Sequence, residues 1–151
     1  GITRGCTPTT FCPEESVTRG EMAAFLVRAL DLKPLDGSTD SFTDDDGSAF
    51  EADIEILQGH GITNGCTTTK FCPTEVVTRG EVAAFLVRAF DLSISTGDSF
   101  SDDDDSVFQT EIEALAASGV TSGCSQGRFC PSRPVTRGEM AAFLVRALAS
   151  I

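Results

Sequence analysis

Three sets of residues in this chain have types and spacings suited to chemistry. Six cysteines form three pairs, Cys6/Cys12, Cys66/Cys72 and Cys124/Cys130, each with five residues between the partners. Three arginines stand in one repeated setting, Val-Thr-Arg-Gly-Glu, as Arg19, Arg79 and Arg137, each followed by Gly20, Gly80 or Gly138. Two acidic runs carry Asp44 and Asp46, then Asp102 and Asp104, at matching positions. Paired cysteines close loops or hold a metal. An arginine opening a helix adds a cation to free backbone N–H groups, which together attract an anion. Alternating aspartates are oxygen ligands for a hard cation such as calcium.

The elements that position these residues come from an internal repeat. Gly1-Ile2-Thr3, Gly61-Ile62-Thr63 and Gly119-Val120-Thr121 begin matching loops, and each loop leads through its cysteines to a Thr-Arg-Gly-Glu run. A full unit has an acidic loop, a short helix (about 50–58 in the second copy), a cysteine loop and a second helix (about 79–90). The copies read as 1–30 (the second half of repeat 1), 31–90 and 91–151, together one compact domain. The linkers, Asp31 to Ser41 and Asp91 to Ser99, are rich in Ser, Thr, Gly and Asp, as loops should be. The chain opens in mid-repeat without a Met or a secretion signal, which reads as a trimmed piece of something longer.

The second helix of each unit is strongly specified. Thr18 is a good N-cap, Glu21 completes a capping box, and Val17 can pack on Met22 as a staple. Met22, Phe25, Leu26, Ala29 and Leu30 form one apolar stripe, repeated by Met140, Phe143, Leu144, Ala147 and Leu148. Three such helices converging on a shared core predict an all-α fold with pseudo-threefold symmetry and long loops.

Composition excludes several classes. Eleven Lys+Arg against 23 Asp+Glu give a net charge of −12, which opposes nucleic-acid binding and docking on anionic membranes. No apolar run approaches the roughly 20 residues of a membrane span. The even, local cysteine spacing favours three disulfides and an oxidising, extracellular compartment. A zinc site would be two ligands short at each pair, and the one histidine, His60, reads as an exposed loop residue. No nucleophile–base pair can be assembled around that single histidine, so the chain does not read as an enzyme.

The ordered recurrence of the Phe-x-Asp loop, the Gly-Ile-Thr-x-Gly loop, Phe-x-Pro and Val-Thr-Arg-Gly-Glu resembles S-layer homology repeats. The resemblance covers essentially the whole chain. It implies a three-pronged helical domain that anchors surface proteins non-covalently to cell-wall polysaccharide, often one bearing pyruvate ketals. It also implies that Arg19, Arg79 and Arg137 line glycan grooves. The chain departs from the family by having Gly20, Gly80 and Gly138 where Ala is usual. It has Phe50 and Phe108 near the position of a common Trp, adds the cysteine pairs, and carries an incomplete first repeat.

For the Thr and Glu of the motif, capping is explanation enough. The arginines are different, because a cation in the first turn opposes the helix dipole. They serve either a carboxylate ligand or a structural ion pair. The glycines let a ligand or another backbone approach. Arg28, Arg88 and Arg146 end the same helices, where a cation suits the dipole. The acidic runs echo a calcium loop, with Glu55 and Glu113 in twelfth position but Ala49 and Val107 where a Gly is expected. Their plainer reading is a solvated turn capping the next helix. No other cofactor is expected. The leading function is a wall-polysaccharide anchor at the cell surface. The alternative is a structural module that assembles with other copies of itself in a surface layer or filament.

Overall fold

The computed structural model describes residues 1–37 and 40–150; Ser38 and Thr39 of the first linker and the terminal Ile151 lie outside the described residues. Five α-helices are present among the described residues, and no strand is, only isolated bridges. The fold is all-α. They are α1 (Arg19–Leu30), α2 (Glu51–Gly59), α3 (Arg79–Ala89), α4 (Gln109–Ala117) and α5 (Arg137–Leu148).

The three long helices begin as their sequences dictate. Thr18, Thr78 and Thr136 cap α1, α3 and α5, each with a complete capping box closed by Glu21, Glu81 or Glu139. Val17 and Met22 are both fully buried, as a staple requires. The short helices α2 and α4 have no side-chain cap. The acidic loops therefore do not cap them, contrary to the sequence expectation. Instead the Ser48 and Ser106 hydroxyls accept from the N–H of Phe50 and Phe108.

The chain forms two compact units. The first comprises Gly1–Cys12 and Val17–Val76, and the second Pro13–Ser16 and Val77–Ile151. In the first, α1 packs on α2 around Met22, Leu26, Ile54, Leu57 and Phe71, all fully buried. In the second, α3 packs on α4 around Leu86, Ile112, Leu115 and Phe129, also fully buried.

The grouping follows the pairing of cysteine loops with helix starts. In the first unit, Arg19 N–H and Gly20 N–H donate to the Glu75 and Pro73 carbonyls. In the second, Arg79 and Gly80 donate to Arg133 and Pro131, and Arg137 and Gly138 to Glu15 and Pro13. Two of the four orphan donors of each helix are thus satisfied by a loop of a different copy.

That pairing explains the glycines. A Cβ on Gly20 would stand 2.5 Å from the Phe50 ring and 3.1 Å from the Pro73 carbonyl oxygen. One on Gly80 would stand 2.6 Å from Phe108. In these two copies the close approach is made by the protein itself. Gly138 meets only Pro13, at 3.2 Å.

The helix α5 also differs in burial. Val27 of α1 and Val87 of α3 are 8 % and 7 % exposed, whereas Val145 of α5 is 68 % exposed. Ala141 and Ala142 are half-buried, whereas their counterparts Ala23, Ala24, Ala83 and Ala84 are buried.

Candidate functional site

Each cysteine pair is bridged: Cys6–Cys12, Cys66–Cys72 and Cys124–Cys130, all with Cα atoms 6.0 Å apart. Among the described residues none is free. The second cysteine of each pair is left-handed, with φ of 54° at Cys12, 59° at Cys72 and 60° at Cys130. That turn aims the next carbonyl, on Pro13, Pro73 or Pro131, at a helix start. Earlier in the second loop, Gly65 at φ 82° lies so close to the Lys70 carbonyl that any Cβ would collide with it.

The acidic loops stabilise these turns. Asp44 accepts from Phe71 N–H at 2.7 Å and from Cys72 N–H at 2.9 Å. Asp102 does the same for Phe129 and Cys130 at the same distances. These amide bonds, with Arg128 nearby, hold the Asp102 carboxyl below the usual carboxylate range although burial opposes them. Asp44 and Asp102 thus serve as backbone acceptors, and Glu113 is occupied by Ser99, through its N–H at 2.9 Å and its hydroxyl at 2.8 Å. Asp46 and Asp104 are exposed.

The motif arginines are buried, Arg19 at 4 %, Arg79 at 2 % and Arg137 at 4 % exposed. Arg19 Nε donates to the Phe71 carbonyl at 2.8 Å, and its guanidinium lies 5.0 Å from that ring. Arg79 Nε donates to the Phe129 carbonyl at 2.7 Å, with its guanidinium 4.7 Å from Phe129 and 5.2 Å from Phe143. Arg79 Nη1 meets Glu139 at 3.4 Å, and Arg133 also pairs with Glu139. Arg79 Nη2 is buried and has no partner. Burial disfavours this cation, and Glu139 offsets that in part.

Beside Arg79 lies a cleft of about 180 Å³, lined among others by Thr121, Glu139, Phe143 and Arg146. It is smaller than a typical ligand pocket of roughly 300–1,000 Å³, so it suits one small group of a larger ligand. Arg146, which the sequence assigned to the helix dipole alone, is the second cation at this cleft, 3.5 Å from the Val120 carbonyl. Helical spacing from Gly138, Ala142 and Arg146 was the available signal. His60 contacts the Lys33 carbonyl at 2.9 Å and takes no part.

A family model described as S-layer homology domain matches residues 41–83 and 99–141. An endoglucanase of Bacillus sp. (strain KSM-635) is 34 % identical over 62 % of this chain and 10 % of its own length. The surface-layer 125 kDa protein of Lysinibacillus sphaericus is 29 % identical over 100 % of this chain and 13 % of its own. An amylopullulanase of Thermoanaerobacterium thermosulfurigenes is 29 % identical over 95 % and 8 %. The chain therefore spans about a tenth of the length of these relatives.

Proposed function

Because the chain belongs to the S-layer homology family, we propose that it is a cell-surface anchoring module that binds cell-wall polysaccharide non-covalently. The observation that carries this reading is the buried, unpartnered Nη2 of Arg79 beside a small cleft that also holds Arg146. A carboxylate on the glycan, such as a pyruvate ketal, pairs with this guanidinium and meets Arg146 as a second cation. Phe143 and Thr121 supply an apolar wall and a hydroxyl for a sugar substituent. Arg19 and Arg137 open the equivalent helices and are the corresponding candidates in the other copies, whereas Gly20, Gly80 and Gly138 face the protein's own loops. Relatives as different as an endoglucanase and a surface-layer protein share this stretch within a small part of their length. That distribution favours attachment over catalysis, at an extracellular location. With a net charge of −12, binding of an anionic glycan rests on local arginine pockets.

Co-sedimentation with polysaccharide-bearing wall sacculi tests the reading. Arg146→Ala leaves the buried Arg79 contacts intact and should weaken pelleting about tenfold. Wild-type protein that stays in the supernatant with walls of its own source overturns the reading. The second reading, self-assembly, is favoured by the uncovered face of α5 around Val145. Concentration-dependent oligomers that Val145→Lys abolishes would support it.

A further inference from the structure

The two acidic loops, around residues 45 and 103, share a feature that neither capping nor glycan binding uses. Asp45 and Asp103 are 1 % and 0 % exposed, and neither oxygen of either carboxylate has a hydrogen-bond partner. Buried carboxylates are ordinarily paired or bound to a cation, because removing the charge from water costs several kcal/mol. The two residues hold the same place in two copies. Each follows the aspartate that accepts the cysteine-loop amides, and the main-chain carbonyl of each accepts from Ser48 or Ser106 N–H at 2.8 Å in the same turn. The orphan carboxylate is therefore repeated, which an accident of packing would not be.

The surroundings are acidic. Asp40, Asp44 and Asp46 act on Asp45 as like charges, and Glu113, Asp104 and Asp102 act on Asp103. Glu113 is itself 2 % exposed. In the third copy a cleft of about 330 Å³ lies alongside, lined by Asp98, Ser99, Asp104 and others. Ser99 is the residue that Glu113 holds. This cleft reaches the loop at Asp104, next to the buried Asp103.

We propose that each acidic loop binds one calcium ion, with Asp45 and Asp103 as the buried carboxylate ligands and Asp46 and Asp104 as the outer ones. Asp44 and Asp102, committed to backbone amides, orient the loop. Among the described residues no three carboxylates converge at ligand spacing in these loops, since the one such group pairs Glu15 with the bridged Cys6 and Cys12. Water and main-chain oxygens complete the shell. Few charged ligands place the affinity near the weak, extracellular range of roughly 10⁻⁴–10⁻³ M.

Calorimetric titration of the whole chain with calcium chloride at pH 7.5 and constant ionic strength, beside thermal melts, tests this. Two calcium ions should bind, and 10 mM calcium should raise Tm by about 3–8 °C, more than magnesium does. Asp45→Asn and Asp103→Asn should each remove one ion. Asn is nearly isosteric and neutral, so in EDTA both variants should fold, by circular dichroism, at least as stably as wild type. Three results overturn the proposal: no calcium-specific shift in Tm, an equal shift with magnesium, or Asn variants that still bind two ions. If the variants melt higher than wild type in EDTA while calcium does nothing to wild type, the two residues are buried neutral acids.

Discussion

The Arg79 guanidinium lies 4.7 Å from the centre of the Phe129 ring while its Nε donates to that residue's own carbonyl at 2.7 Å. One side chain thus clamps both the ring and the backbone of a fully buried phenylalanine. The residue proposed to hold the glycan carboxylate is in this way also part of the core. Arg79→Ala should cost about 2–4 kcal/mol in urea denaturation, since a buried carbonyl loses its donor and the ring loses a cation. Arg146→Ala, at an exposed position, should stay within about 0.5 kcal/mol. Loss of wall binding in the second variant then reports recognition and not unfolding.

Gly20→Ala reverses the usual rule for helices. The substitution should gain nearly 1 kcal/mol by helix propensity. The new Cβ would stand 2.5 Å from Phe50 and 3.1 Å from a backbone oxygen, so overpacking should win and the variant should lose about 1–2 kcal/mol. Gly138→Ala, facing only Pro13, should be milder. A double-mutant cycle of Gly20→Ala with Phe50→Leu would show positive rescue.

Helix α5 offers an internal control on packing. Val27→Ala and Val87→Ala should each cost about 1–2 kcal/mol, because both side chains are buried. Val145→Ala should change the melting temperature by less than about 2 °C, since its side chain is 68 % exposed.

The sequence made the local structure legible and left the non-local structure dark. Thr18, Glu21 and Val17 specify the start of α1 by contacts within a few residues, and the capping boxes form as read. The helix expected over 79–90 spans Arg79–Ala89, and that over 50–58 spans Glu51–Gly59. The three disulfides follow from spacing alone. By contrast, Asp44 finds its partners 27 and 28 residues away. Nothing local distinguishes it from Asp45, whose carboxylate is buried without a hydrogen-bond partner. An acidic run reads as uniformly solvated because sequence shows charge and not direction. The close approach at Gly20 was legible, but the partners of Gly20 and Arg19 were hidden for the same reason: Phe50 and Phe71 reach them only in the folded chain.

Asp103 gives the pH dependence a sign. Burial and the nearby Glu113 push its carboxyl up to about 6. A raised acid binds a proton more tightly when folded, so in calcium-free buffer stability should rise as pH falls from 7 toward 5. The gain over this range is about 1 kcal/mol, and Asp103→Asn should remove it. Asp102 acts oppositely: its lowered carboxyl contributes stability above the usual aspartate range, and that stability is lost only below about pH 4. Denaturant midpoints across pH 3–8 check both limbs.

Each disulfide closes a short loop. Replacing Cys66 and Cys72 together by Ser should cost roughly 2.4 kcal/mol in the chain-entropy model. Chemical denaturation of that variant beside wild type measures it.

The borrowing of helix-start partners between copies carries a kinetic consequence. Arg19 and Arg79 reach their carbonyls across 52 and 50 residues of chain, and the main-chain bonds at each helix start cross comparable or longer spans. Helical proteins usually fold fast because their contacts are local. Here the first turn of α1 is completed only after the cysteine loop of the second copy has arrived. Loop closure over such distances comes before the reward, so this helical chain should fold more slowly than a helical protein with local contacts. During synthesis, α1 must wait, its first amides unsatisfied, until the loop at Pro73 and Glu75 has emerged.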